Sequence, residues 1–202
     1  MGNTLQKKTL VEAIHARRSI RSITRTPEIT RETIEEAIQL ALKAPSAFNM
    51  QSDRMVVLMG DSHEKLWDMV KETLRSIVPA NAFADTKARL QGWSHGAGTV
   101  LFFVDQSTVS NYQQLYTLYQ NKFPGWSLEG SGMVQYAVWL CLSAQGLGAS
   151  LQHYNPLIDE VVKREWDIPG DWTLVAQLPF GRPEETLAAR DFLPYEQVVK
   201  WR

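Results

Sequence analysis

The sequence predicts an α+β fold in which helices dominate and one small sheet runs between them. Three observations carry that expectation. Apolar residues recur at helical spacing over 9–17, 30–44, 61–78, 82–94, 110–121, 130–146 and 156–165. Short β-rich runs interrupt the helices: RMVVLMG (54–60), TVLFFVD (99–105), ASLQHY (149–154) and TLVAQLPFG (173–181), which together suffice for one sheet. No repeat, Gly/Ser linker or low-complexity tract divides the chain, so a single domain over 1–202 is expected.

The element boundaries have chemical causes. Thr30, after Pro27, caps a helix whose first turns carry the acids of ETIEEAIQLALKA. Pro45 ends it near Lys43, because the residue before a proline is pushed out of the α conformation. Gly146 and Gly148 of GLGASL read as a helix C-cap and turn. The 173–181 strand closes on a Gly-Arg-Pro turn signal. Beyond it, LAARDFLPYEQVVKWR reads as an extended arm with apolar anchors, since Pro194 breaks a helix and the valine pair favours β structure. Such an arm must dock on its own domain or on a partner subunit.

Composition excludes several classes of function. The 202 residues are 44% hydrophobic and 21% charged, enough to bury a full core. Lys+Arg (21) and Asp+Glu (22) leave a net charge of -1, so no global field recruits nucleic acid or an anionic membrane, and any anion affinity is local. MGNTLQKKTL lacks the apolar core of a signal peptide and no uncharged apolar run reaches spanning length, so a cytoplasmic protein is expected. Cys141 is the only cysteine; in AVWLCLSA it reads as a buried inert thiol, and a cysteine zinc cluster is excluded. His15, His63, His95 and His153 are dispersed, so no metal site is expected.

Two tempting motifs fail. GLGASL lacks the third glycine of a dinucleotide turn and runs from helix to strand, the reverse of the required order. GSGM (130–133) is not a nucleophile elbow. The series Tyr112, Tyr116, Tyr119 and Phe123 falls on one helical face. That face is either a packing surface or, with Trp126, the roof over an aromatic ligand; the sequence leaves both readings open.

Two stretches point to chemistry. RRSIR (17–21) ends the first amphipathic segment. Arginines there complement a helix dipole, but Ser19 adds a short hydroxyl donor, Ile20 an anchor to the core, and several guanidinium bonds on one anion suit a phosphomonoester. APSAFNMQSDRMVVL (44–58) runs from a helix end through a polar loop into a strand. Pro45 stiffens it, Ser46, Asn49 and Gln51 supply donors and acceptors, and Phe48 supplies an aromatic face, a mixture suited to a flat heteroaromatic ring with a polar edge.

In this order and at this separation, the two stretches resemble the nitroreductase family of flavin enzymes, whose members open with Arg-Arg-Ser-x-Arg and continue with Pro-Ser-x-x-Asn-x-Gln. GLGASLQHYNPLIDE (146–160) and LPFGRPEE (178–185) extend the resemblance along nearly the whole chain. KLWDMVKETL, SGMVQYAVWLCLSAQGLGASLQHYN and FGRPEE are similar to a small fatty-acid-repression-type branch.

The resemblance implies a central, mostly antiparallel sheet flanked by helices, with non-covalent FMN at the interface of a homodimer. It implies that Arg17 and Ser19, with Arg18 beside them, hold the phosphate and ribityl chain, and that Arg21 reaches the pyrimidine edge. Pro45, Ser46, Ala47, Asn49 and Gln51 would line the ring, partly from the other subunit, and Gln152 and His153 would pass close to flavin N5, where backbone amides matter as much as side chains. Phe48, Phe123, Trp126 and Tyr154 are the candidate substrate contacts. The usual Lys-x-Arg pair after the last turn is replaced by LAARDF, which leaves Arg190 as the distal phosphate candidate and Arg182 behind it. NAD(P)H would be the donor and a nitroaromatic or quinone the acceptor in a ping-pong scheme without a protein nucleophile. A flavin-binding sensor or storage protein with little turnover, and a phosphate-ligand module without flavin, are the alternatives.

Overall fold

A computed structural model describes residues 7–202; MGNTLQ, the first part of the stretch read above for a signal core, lies outside the described residues. The chain forms α1 (Leu10–Ala16), β1 (Ile23–Thr24), α2 (Arg31–Ala41), β2 (Asp53–Met59), α3 (Asp61–Arg75), α4 (Phe83–Ser94), β3 (Gly98–Asp105), α5 (Gln106–Leu115), α6 (Phe123–Ala144), β4 (Gly148–Ala149), α7 (Asp159–Glu165), β5 (Trp172–Pro183) and α8 (Tyr195–Val198). Single 3₁₀ turns occupy Ala47–Asn49 and Thr117–Tyr119. The sheet order is β1-β5-β3-β2, every neighbouring pair antiparallel, with β4 also antiparallel to β5. The α+β architecture, with helices on both faces of a mostly antiparallel sheet, is the one expected.

Strand β3 organises the core because all eight of its residues are buried. Its side chains alternate between faces. Val100 and Phe102 meet α2 and α6 through Ile34, Ala37, Val134 and Val138. Leu101 and Phe103 meet α3, α4 and α7 through Leu66, Trp67, Leu90, Trp93 and Val162. On this second face His63 is fully buried: its ring lies 2.8 Å from Thr99 Oγ1 through Nδ1 and 3.0 Å from the Trp93 carbonyl through Nε2. Because a carbonyl only accepts, Nε2 carries the proton and Nδ1 accepts from the Thr99 hydroxyl, whose oxygen accepts from Trp67 Nε1–H at 3.1 Å. Burial pushes the imidazole pKa down to about 4, against its bonds to the Trp93 and Ser94 main chain, which act the other way.

Some boundaries differ from the sequence reading, each for a local reason. The helix expected from 130 begins at Phe123, because Pro124 sits in its first turn, where a missing N–H costs nothing. The expected 110–121 helix runs instead over Gln106–Leu115, capped by Asp105, and ends where Tyr116 turns to φ -122°, ψ 67°. The β-run 149–154 keeps only Gly148–Ala149 as strand, with one further bridge from Gln152 to Gln177. Pro194 starts the short helix α8 rather than barring one. Gly146 does cap α6, at φ 84°.

Candidate functional site: an arginine edge and an aromatic loop

The arginine segment is placed by the end of α1. Thr9 and Glu12 close a capping box at its start, and Arg17, already extended, ends it. The chain then lies along the outer edge of β4: Ser19 forms a parallel bridge with Ala149, and the Ile20 N–H donates to the Ala149 carbonyl at 3.0 Å. This approach requires Gly148, where a Cβ would come within 3.0 Å of the Ile20 side chain. The Arg17 guanidinium lies 4.4 Å from the Trp139 ring centroid, a cation–π contact from α6. Arg18 donates to the Ala188 carbonyl and so ties the segment to the C-terminal arm. Glu185 accepts the Arg21 and Ser22 N–H groups, and the Arg21 side chain is exposed. Arg17, Arg18 and Arg190 line one open cavity of about 1140 Å³ with Tyr136, Phe192 and Leu193. Arg182, opposite Thr24 in β1, is not among the residues lining it.

The loop after α2 is held under backbone strain. Phe48 and Asn49 at φ 55° and Gln51 at φ 49° are left-handed without being glycine, a state costing on the order of 1 kcal/mol or more each. Three side chains hold it. Ser46 Oγ accepts the Gln51 N–H at 3.0 Å. Arg54 donates to the Gln51 and Asp53 carbonyls, both at 2.9 Å, and to Asp105 Oδ2 at 2.6 Å. Asp105 is partly desolvated, yet bonds from Ser107 and Thr108 and the charge of Arg54 keep its carboxyl below the usual range. Burial pushes the Asp53 carboxyl the other way, upward, despite Ser131 and Arg54.

Strain at Phe48 presents its ring to an aromatic group. Its centroid lies 4.6 Å from Tyr116, 5.7 Å from Tyr119, 5.5 Å from Phe123 and 6.0 Å from Trp126. Phe48, Tyr116 and Tyr119 are exposed, whereas Phe123 is fully buried beneath them. The tyrosines and Phe123 do not share one helical face, as the sequence suggested; they come from α5, a 3₁₀ turn and the start of α6 and converge on Phe48. Tyr154 is elsewhere, with its ring edge-on to Trp67 and Trp93 in the other core cluster.

Helix α6 separates the two stretches. Trp139 carries Arg17, and a Cβ at Gly130 would touch Ser46 at 3.7 Å. Nine residues of α-helix span about 13 Å and a net half turn, so the arginines and the loop lie on opposite flanks of the helix. Between them on the circumference are Gly132, Met133 and Tyr136, all exposed. Pro45, Ser46, Ala47, Asn49 and Gln51 stay together on one flank; Arg17, Arg18, Ser19 and Arg190 gather on the other. Gln152 and His153 continue the β4 edge beyond Ser19.

The Nitroreductase family profile matches residues 14–182. The chain belongs to the nitroreductase family. Among its relatives, the Saccharomyces cerevisiae protein HBN1 is 36% identical over 178 residues, covering 87% of this chain and 88% of HBN1. Nitroreductase FRM2 of the same yeast is 31% identical over 189 residues, with 91% and 92% coverage. Lactococcus lactis nitroreductase CinD, solved in complex with nicotinic acid, superposes with a TM-score of 0.88 at 39% identity, covering 96% of this chain and all of that one. CinD was also solved with chloramphenicol and with 4-nitrophenol. An Exiguobacterium sibiricum protein solved with FMN shares the fold at a TM-score of 0.72 and 17% identity. Membership places this chain among flavin oxidoreductases.

The structure adds residues that sequence reading passed over. Lys8 lines a second cavity of about 390 Å³ with Arg17 and Arg18. Trp139 seats Arg17 and Glu185 fixes the main chain of Arg21. None carries a spacing signal, since each acts on a segment remote in sequence. Among the described residues no cluster of His, Cys, Asp or Glu is arranged to hold a metal ion, and no helix is long and apolar enough to cross a membrane.

Proposed function

We propose that the chain is a cytoplasmic FMN-dependent oxidoreductase, one domain per subunit, that passes hydride from NAD(P)H through flavin N5 to nitroaromatic, quinone or similar acceptors by a ping-pong mechanism, and that it works as a homodimer with FMN at the interface. One observation carries the shared site: the arginine edge and the polar-aromatic loop are separated by α6 within a single chain, so one ligand reaches both only if a second chain supplies the other half. The strip of α6 between them supports this reading. Apart from Glu129 the helix carries no charge, yet Gly132, Met133 and Tyr136 face solvent, as expected of a helix that is apolar all round and covered by a partner.

The residues present suit the cofactor. Arg17, Arg18 and Arg190, facing one cavity, offer charge-assisted bonds to a phosphate dianion, and Ser19 follows them in the chain beside β4. Arg21, with its main chain fixed by Glu185 and its exposed guanidinium without a bond among the described residues, can reach the pyrimidine edge, where a cation favours negative charge on the reduced ring. Gln152 and His153 continue the same edge, and Ser46, Asn49 and Gln51 of the partner would close over the ring. When bound, FMN supplies the two-electron chemistry. The chain binds, orients and excludes water, and Phe48 with Tyr116, Tyr119 and Trp126 offers a flat acceptor an aromatic wall. CinD was solved with nicotinic acid, a pyridine acid akin to nicotinamide, and with a nitrophenol, which supports the donor and acceptor classes.

Purification tests the proposal. The protein is expected to be yellow, to release FMN rather than FAD on extraction, and to give parallel initial-rate lines with NAD(P)H and a quinone or nitroaromatic. A colourless protein that cannot be reconstituted with FMN refutes it. Bound flavin that NAD(P)H does not reduce would favour the sensor or storage reading.

A further inference from the structure

Gln177 sits in the middle of β5 with no exposed surface. Its main chain exchanges both hydrogen bonds with Gln152, which donates at 2.7 Å and accepts at 2.9 Å. Its side chain reaches beyond that pair: Oε1 accepts the Tyr154 N–H at 2.7 Å, and Nε2 donates to Asn155 Oδ1 at 3.3 Å. A primary amide in a sheet interior is costly unless its polar atoms are bonded, and here both are used on one short segment. One buried residue therefore fixes the neighbours of His153 on both sides.

The consequence is directional. In an antiparallel pair the main-chain groups of alternate residues point toward and away from the partner strand. With Gln152 facing β5, the His153 N–H faces the open edge, and among the described residues it has no hydrogen-bond partner. The same edge carries Ser19 beside Ala149, roughly 10 Å back along extended chain from Gln152. An unpaired donor and the arginine group thus share one edge.

We propose that Gln177 is a positioning residue, which turns the His153 N–H outward as a hydrogen-bond donor to the flavin ring and so adjusts the ring's electron affinity without touching it. The inference rests on the FMN reading above. A main-chain donor bonds the oxidised and the reduced ring unequally and so sets their balance.

The test uses the full-length holoprotein. Gln177→Met keeps length and burial and loses both side-chain bonds; Gln177→Glu keeps an acceptor for the Tyr154 N–H. In Gln177→Met the FMN dissociation constant is expected to change less than about threefold, because the phosphate end is intact. The affinity ratio of reduced to oxidised FMN should change about tenfold, a shift of ~30 mV in midpoint potential for a two-electron couple. Gln177→Glu should retain most of the wild-type potential. An unchanged potential in folded, FMN-loaded Gln177→Met overturns the proposal. Should that variant not fold, the wild-type amide resonances decide: on FMN addition the His153 N–H must shift and become protected from exchange, and an unmoved signal overturns the proposal. A wild-type chain that binds no FMN at all overturns the earlier reading along with this one, and is recognised before any variant is made.

Discussion

The two faces of the sheet are finished to different degrees. On the α3–α4 face, Trp67 and Trp93 close over Leu101 and Phe103, and even the histidine is buried with both ring nitrogens bonded. Between residues 61 and 94 the only large exposed apolar side chain is Ile77. The α6 face packs its core equally well, but its outer surface exposes Leu10, Val11 and Ile14 on α1, Leu128, Met133 and Tyr136 on α6, and Phe192, Leu193 and Trp201 on the arm. The difference bears on the proposed dimer: one face buries its apolar side chains within the chain, whereas the other leaves an apolar surface beside both halves of the candidate site.

The contrast can be broken most directly by charge. Tyr136→Glu combined with Met133→Glu is expected to weaken self-association by on the order of 2–4 kcal/mol and to lower FMN affinity in parallel, while Ile77→Glu on the closed face changes neither. Sedimentation velocity and flavin titration read the two quantities. A monomeric double variant that holds FMN as tightly as the wild type would sink the shared-site proposal.

Acid probes the closed face. The folded His63 pKa of about 4 lies below its ordinary 6.5, so the unfolded chain binds more protons between those values and stability falls as pH drops through that window. The wild type should lose about 3 kcal/mol more than His63→Gln between pH 6.5 and pH 4, measured by urea unfolding. Equal losses in the two proteins would remove the histidine from the account.

Within the open face, Arg17→Ala should cost on the order of 2 kcal/mol of FMN binding, and Arg31→Ala, on the exposed first turn of α2, almost nothing. Equal affinities would mean that Arg17 only seats on Trp139. The smallest effects distinguish two glycines. Gly130→Ala adds a methyl at ordinary contact distance within a helix and should stabilise by up to about 1 kcal/mol. Gly148→Ala forces Ile20 away at 3.0 Å and should destabilise by about 1 kcal/mol or more. Thermal unfolding of the two variants checks the opposite signs.

The β-runs at 54–60, 99–105 and 173–181 were readable because their strands are long and apolar; ASLQHY was overread because strand-like composition does not say how many residues find a partner. RRSIR and PSAFNMQ were readable as chemistry because local density of donors survives any fold. Their separation by α6 was not, since it depends on a half turn between Gly130 and Trp139 in a helix whose start was hidden behind Pro124. Gln177 was invisible for a related reason: inside TLVAQLPFG it is one polar residue in an apolar strand, and only its register with Gln152 shows what it holds. The aromatic series was read as one stripe because the break at Tyr116 carries neither proline nor glycine.

The placement of Arg17 and Ser46 on opposite flanks of α6 has a genetic consequence. If the site is shared as proposed, a chain with a ruined arginine edge and a chain with a ruined loop are each inactive alone, but a hybrid dimer of the two pairs one sound edge with one sound loop. Random mixing would then restore roughly a quarter of the sites, so two null alleles of this gene would complement each other in one cell, as alleles of a self-contained site do not.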